Sequence, residues 1–301
     1  MTFRPPLRLA ECRSVTVVAR LAHGAVLDSE WPAPLDGILS AVKRRAILGD
    51  SYGDGVDLSA DQQEFLRQQR SRPGGRRTRV EPGRPGWLSE VDRHRRTVPL
   101  PLAVIGWQHF RGDERGPTVG AQWVWAASCA FWDGDERDLR YWHSRFGHQR
   151  AEEVCRDKLP PMVYETHGRY RAYRMPMVVT LATELRWRAV GDPDKLAELC
   201  RQVYQIGKKR SQGEGRVLGW SVIDEGPPDL TWPLWTPDGR IARPVPVRMA
   251  AWLGLDNPPV TSGAIRPPYW RPPPGMDGDA KHRQWRQIIA PGTPRPVHSH
   301  A

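Results

Sequence analysis

The sequence lacks the features that mark disulfide-bonded, secreted or membrane-spanning proteins. Its four cysteines (12, 129, 155 and 200) are scattered and form no Cys-x-x-Cys pair, which argues against a disulfide framework or a zinc knuckle. No apolar run approaches the roughly 18 residues of a membrane helix. The first residues, MTFRPPLRLAECRS, lack the apolar stretch of a signal peptide. We therefore expect a soluble, cytoplasmic protein with no membrane partner.

Acidic residues are also scarce relative to basic ones. The 301 residues include 34 Asp and Glu against 45 Lys and Arg, a formal net charge of +11. A surplus of cations favours an anionic partner, most simply nucleic acid. The 14 tryptophans fit either a hydrophobic core or a surface on which bases stack.

Hydrophobic periodicity predicts alternating strands and helices. We expect a strand over 14–22, a helix over 35–48, a hairpin of strands 100–107 and 119–131, one long strand over 177–190, a helix over 194–206 and a strand over 216–223. Asp192 and Pro193 are suited to open the second helix, and Gly207 to supply its left-handed C-terminal cap. Without one extra strand, this is the βαββαβ plan of an α+β, ferredoxin-like (RRM-like) core. Which middle strand is extra stays open.

Two insertions and a tail interrupt this plan. Residues 49–97 form an arm rich in Arg, Gly and Pro, with a short helix expected over 60–69, and residues 132–175 form a second insert. The ferredoxin-like domain is thus expected over 1–226. Residues 227–301 contain 16 of the 30 prolines, which predicts extended polyproline segments. A short helix is expected over 280–289.

The stretch 207–215, GKKRSQGEG, brackets three consecutive cations with glycines. Lys and Arg attract phosphate, while Ser and Gln can bond to sugars or base edges. Its order, helix then loop then strand, is the reverse of nucleotide-phosphate loops. A solvated connection is the plain alternative. The predicted RNA contacts here are Gly207, Lys208, Lys209, Arg210, Ser211, Gln212, Gly213, Gly215 and Arg216.

Cations elsewhere are candidates for the same role. The arm contributes Arg76, Arg77 and Arg79, since arginine favours bidentate phosphate contacts and base stacking, and Lys43 lies near the end of the first helix. Arg140 and Arg145 belong to RDLRYWHSRF (137–146), which mixes cations with aromatics as single-strand binders do. The alternative is a surface helix that packs Leu139, Trp142 and Phe146 inward.

Catalysis has weaker support. His143 and His148 could act as general acid and base in metal-independent RNA cleavage, but spacing alone does not bring two imidazoles together. The sequence has no HExxH, GxSxG or clustered carboxylate pattern. We therefore expect no catalytic residue, metal or cofactor, and keep the endoribonuclease as an alternative.

Three features together resemble the RAMP superfamily of CRISPR proteins: an early strand followed by the helix LDGIL (35–39), the ferredoxin-like order, and a Gly-rich basic loop between a helix and the last strand. The form IGKKRSQGEGRV (206–217) is similar to the loop of the subunit that caps the crRNA 5′ handle in multisubunit effector complexes, in the version of type IV systems. The resemblance covers 14–223 in order and matches at motif level only over 35–39 and 206–217.

The resemblance implies a non-catalytic RNA-binding cap. Such a subunit holds the 5′ handle of the crRNA and docks against a repeated backbone subunit, in an assembly that also contains a small helical subunit and can meet target DNA. Lys208, Lys209, Arg210 and Gln212 would be the RNA contacts of the family loop. Some related subunits process precursor crRNA, which keeps the endoribonuclease open. A third reading is a general basic interaction protein.

Overall fold

A computed structural model describes residues 7–27, 29, 31–48, 98–106, 123–144, 147, 164, 166, 171–267, 269 and 287–296. The described chain is mixed α/β, with few helices and several small antiparallel sheets. Its regular elements are, in chain order, β1 (Arg13–Leu21), α1 (Leu35–Leu48), β2 (Val104–Ile105), β3 (Val124–Trp125), β4 (Arg137–Ser144), β5 (Tyr173–Thr180), β6 (Glu184–Gly191), α2 (Pro193–Cys200), β7 (Val217–Gly226), β8 (Val260–Ser262) and β9 (Gln287–Ile289).

The largest sheet has the order β6-β1-β7, and both pairings of β1 are antiparallel. The register pairs Val17 with Trp187 on one side and with Val222 on the other. Because β6 and β7 both run opposite to β1, they are parallel to each other and need a crossover, which α2 supplies. The predicted first strand, first helix and last strand are confirmed to within a few residues.

Both helices cover the same face of this sheet. Every second residue of β1 points to that face, and these side chains share a buried cluster with Leu35 and Leu39 of α1 and with Leu196 and Cys200 of α2. Asp192 caps α2, since its carboxylate accepts a hydrogen bond from the Lys195 amide at 3.1 Å. The predicted start of this helix is confirmed.

The predicted hairpin of the two middle strands is confirmed, although β2 and β3 are only two residues long each. Trp125 and Ala127 lie in the cluster under the helices, and Val124 and Ala126 lie in a second cluster. This stretch is buried on both sides, because it lies between two cores.

Residues 126–131 continue past β3 along the free side of β6. The Ser128 amide donates to the Arg188 carbonyl, and Phe131 and Arg186 exchange a pair of backbone hydrogen bonds at 2.9 Å. These contacts are isolated antiparallel bridges and not a continuous strand. The segment nevertheless satisfies part of the backbone edge that β6 presents.

The second core shows that the tail is more than polyproline. Side chains between Leu234 and Ile289 pack with Ile105, Val124 and Val190. Arg243 is fully buried between the two cores, where it donates to the carbonyls of Trp125, Ala127 and Ile265 and pairs with Asp36 of α1 at 3.3 Å. The expected helix over 280–289 is wrong for its last residues, which form β9. Most of the proline-rich stretch 267–275, PPYWRPPPG, lies outside the described residues.

Three further predictions are corrected. The expected single strand over 177–190 is two strands in different sheets: β5 pairs with β4, β6 pairs with β1, and the chain breaks at 181–183. The α2 helix ends at Cys200, six residues before the expected end, so Gly207 is not its cap. The stretch 137–146 is strand β4 up to Ser144, which excludes the surface helix. The sequence keeps an apolar-polar alternation across the break, so periodicity alone did not show it. In the structure the order of burial changes there, since Leu181 is exposed and Ala182 is buried.

The arm over 49–97, with its expected helix, and most of the second insert lie outside the described residues. Among the described helices, none has the length and apolarity that crossing a membrane requires.

Cys12, Cys129 and Cys200 are all free and buried. Burial raises the pKa of the Cys12 thiol to about 11 and that of Cys200 to about 12, and it also raises the pKa of Cys129.

Because the thiolate is the reactive form, we expect the Cys155→Ala variant to resist iodoacetamide at pH 8 until denaturant unfolds it. Labelling of any of the three thiols in the native protein, located by mass spectrometry, would contradict their burial.

Candidate nucleic-acid interface

The basic loop, residues 207–216, has a defined backbone. Gly207, Lys209, Gly213 and Gly215 all have positive φ, at 87°, 57°, 88° and 69°. A 3-10 turn at Arg210–Gln212 forms its tip, closed by hydrogen bonds from the Gln212 amide to the Lys209 carbonyl and from the Gly213 amide to the Arg210 carbonyl, both at 2.9 Å. Glycine at three of the four left-handed positions explains how so sharp a course is accommodated.

The loop is seated on the segment that follows β1, residues 22–26. The Lys208 amide donates to the Val26 carbonyl at 3.2 Å, and the Gly215 amide to the Gly24 carbonyl at 3.0 Å. A Cβ atom at 207 would lie 2.7 Å from the Val26 carbonyl oxygen. Glycine is therefore required for close approach as well as for backbone conformation.

The β4–β5 hairpin holds the loop from another side. The Lys209 ammonium lies 3.3 Å from the centre of the Trp142 ring. Glu214 is 5% exposed and accepts two hydrogen bonds from Arg140, at 2.8 and 2.9 Å. Hydrogen bonds to Asp138 and to Glu214 raise the pKa of Arg140. Two of the predicted RNA contacts, Lys209 and Arg140, are thus engaged within the protein.

The remaining polar side chains of the loop face solvent. Lys208, Arg210, Gln212 and Arg216 are exposed. Within the described chain, the side chains of Arg210 and Arg216 make no hydrogen bond or ion pair. The side-chain nitrogen of Gln205 donates to the Arg210 carbonyl at 2.8 Å. For Ser211 the structure describes the backbone alone. A fixed backbone thus presents three cations and one amide to solvent.

The other predicted residues are not gathered at this loop. Lys43 is half-buried on α1, and His143 is exposed on β4. Arg76, Arg77, Arg79, Arg145 and His148 lie outside the described residues. The alternative in which His143 and His148 act together in RNA cleavage is therefore untested. No group of three metal-ligating side chains occurs among the residues that the structure describes.

Sequence reasoning missed the partners of the loop. The segment 22–26 carries no charge pattern, and only the fold brings it there, through hydrogen bonds such as that from the Ala22 amide to the Arg216 carbonyl at 2.9 Å. The fold also places the exposed His23, a member of this segment, at the base of the loop. Glu214 offered a signal: it is the one acid in a basic run, and a buried carboxylate requires a cation.

No model of a known protein family matches this sequence, and the search of curated proteins finds no match. The observations that bear on function are therefore the geometry of the basic loop, the net positive charge of the chain and the order of its strands and helices.

Proposed function

We propose that this chain is a non-catalytic RNA-binding subunit of a CRISPR ribonucleoprotein effector complex of type IV, and that the basic loop holds the 5′ handle of the crRNA. The observation that carries the proposal is the basic loop of defined backbone on which Lys208, Arg210 and Arg216 are exposed to solvent. Phosphate oxygens are the acceptors that such cations bind. The surplus of basic residues, +11 overall, favours the same partner.

The order of the sheet supports a ferredoxin-like core. In that fold the first strand lies between the third and the fourth, all pairings are antiparallel, and both helices cover one face. Here β1 lies between β6 and β7, and α1 and α2 share one cluster. The segment 126–131, which bonds to the free side of β6, would take the place of the second strand. Strands β2, β4 and β5 are then extra to this core.

The position of the loop also fits the proposal. It connects the second helix to the last strand of this core, which is where the resemblance to the handle-capping subunits places their Gly-rich loop. The same resemblance supplies the proposed partners: the crRNA, a repeated backbone subunit and a small helical subunit, with target DNA as a later contact.

Removal of the three exposed cations of the loop should weaken RNA binding in a salt-dependent way. For Lys208→Ala/Arg210→Ala/Arg216→Ala, we expect the slope of log K against log salt to become shallower by about 2, since each phosphate contact on a single strand contributes about 0.7. Fluorescence anisotropy with a labelled single-stranded RNA, over a series of salt concentrations, measures this slope.

The matched control removes three exposed cations elsewhere, in Arg8→Ala/Lys195→Ala/Arg248→Ala. It lowers the net charge equally and should leave the slope nearly unchanged. If both triple variants change the slope by the same amount, binding depends on overall charge and the loop is not the site.

A further inference from the structure

The β4–β5 hairpin has two faces with different surroundings. Alternate residues of each strand point inward, where Met177 and Val179 pack on Val26 and where Arg140 and Trp142 hold the basic loop. The other residues form the outer face: Arg137, Leu139, Tyr141 and His143 on β4, and Arg174, Pro176 and Val178 on β5. All seven are exposed. The inner contacts fix the ribbon, so the outer face is presented on a rigid element.

The outer face has an apolar block with cations at both ends. Leu139 faces Val178 and Tyr141 faces Pro176 across the ribbon. Arg137 lies at one end of this block, and the pair His143 and Arg174 lies at the other. None of the seven residues is acidic. The two arginines have no hydrogen bond or ion pair in the described chain, whereas Arg140 on the inner face has two carboxylate partners.

Tyr141 is the centre of this face. Its side chain is 42% exposed, and the Arg174 guanidinium lies 3.7 Å from its ring centre. An aromatic ring beside a cation suits a base and its phosphate at once. The ring and the guanidinium plane offer stacking surfaces, and the guanidinium N–H groups can reach a phosphate. The aliphatic neighbours add apolar surface without any polar group that would select a base.

We propose that the outer face of the β4–β5 hairpin is a second binding site for single-stranded nucleic acid, in which a base stacks at Tyr141 and Arg174 and the flanking phosphates lie near Arg137 and Arg174. The inference rests on the proposed function and extends it to a surface on the far side of the hairpin from the basic loop. It also moves the RNA contacts of this hairpin from Arg140, which is ion-paired, to the outward residues.

Charge argues against a second copy of this chain on the same face. Two copies packed face to face would bring the Arg137 and Arg174 side chains of each against those of the other, with no carboxylate between them, and like charges held close together repel. A protein with an acidic surface would meet no such repulsion, and the experiment separates that outcome from nucleic acid.

The test compares side chains on the full-length protein with a labelled single-stranded oligo(U). We expect Tyr141→Ala to weaken binding about tenfold, since stacking on one aromatic side chain is worth about 1–3 kcal/mol per base, and to leave the salt slope unchanged. Arg174→Ala should make the slope shallower by about 0.7. Tyr141→Phe, which keeps the ring, and Leu139→Ala, its exposed neighbour, should each stay within about twofold of the unmodified protein. A 4-thiouridine probe should crosslink at or beside Tyr141.

Equal loss in Tyr141→Ala and Leu139→Ala, or no loss in either, would overturn the stacking site. The loop variants distinguish the two proposals. If the Lys208/Arg210/Arg216 variant loses binding while Tyr141→Ala retains it, the second site is wrong and the proposed function stands. If the unmodified protein does not bind oligo(U) or structured RNA, both are wrong.

Discussion

Replacement of Arg243 by methionine should lower the free energy of unfolding by about 3–5 kcal/mol, the usual effect of removing one partner of a buried ion pair. Arg243 and Asp36 are both fully buried, and the Tyr269 hydroxyl donates to the Asp36 carboxylate at 2.7 Å. Methionine fills similar volume but leaves the carboxylate without a cation and three carbonyls without their donor. Urea denaturation measures the loss.

The pH dependence of the same variant gives a second readout. Burial raises the pKa of the Asp36 carboxyl, and the charge of Arg243 and the hydrogen bond from Tyr269 oppose that rise. Without Arg243 the folded-state pKa rises further above the unfolded value of about 3.9. A raised folded-state pKa favours the protonated, folded form. The contribution of Asp36 to the stability of the variant should therefore be greatest at low pH and should fall as the pH rises through the folded-state pKa.

The double variant Asp36→Asn/Arg243→Met removes both charges and keeps an acceptor for Tyr269. It should recover part of the loss, because no buried charge is then left unpaired. An equal or greater loss in the double variant would show that Arg243 stabilises the two cores through its carbonyl contacts and not through Asp36.

Substitution of alanine at Gly215 should lower the stability by about 3 kcal/mol, from a strained left-handed backbone and from steric overlap. Gly215 has φ 69°, and a Cβ atom there would overlap the Ile206 carbonyl oxygen. That carbonyl belongs to rigid backbone at the point where the loop meets β7, so it cannot move aside cheaply. Thermal denaturation followed by circular dichroism gives the change.

Gly213 is the matched control. Its φ is 88°, but a Cβ atom would meet nothing within 4 Å, so Gly213→Ala should lose only the left-handed penalty of about 1–2 kcal/mol. The difference between the two variants measures the close approach of the loop to the Ile206 carbonyl. Equal losses would mean that the loop does not pack there as described.

Local patterns predicted those parts of the fold that depend on neighbouring residues. The amphipathic period of 35–48, the alternation of β1 and the Asp192-Pro193 start of α2 are confirmed, because each is decided within a few residues. The α2 end was not found. Val203 continues the helical period of Leu196 and Leu199 beyond Cys200, but the chain leaves the helix there and pairs Gln205 with Arg216.

The partners of the candidate site could not be predicted in the same way. The basic loop was visible as a run of Gly, Lys and Arg, whereas its seat on 22–26 joins residues nearly 190 positions apart in the chain. Predicting the two faces of the hairpin would have required knowing that β4 is a strand. Its mixture of apolar and charged residues fits the period of a helix as well as that of a strand. The pairing of β4 with β5 decides in favour of the strand. It also decides which cations of the hairpin form ion pairs within the protein and which face solvent.

Isolation of the native protein, followed by sequencing of the RNA that remains bound, shows directly whether the basic loop holds a crRNA. We expect one discrete RNA species with a defined 5′ end, retained by the unmodified protein and by the Arg8/Lys195/Arg248 control variant and lost from the Lys208/Arg210/Arg216 variant. Absence of bound RNA, a heterogeneous mixture, or equal retention by both triple variants would contradict this expectation.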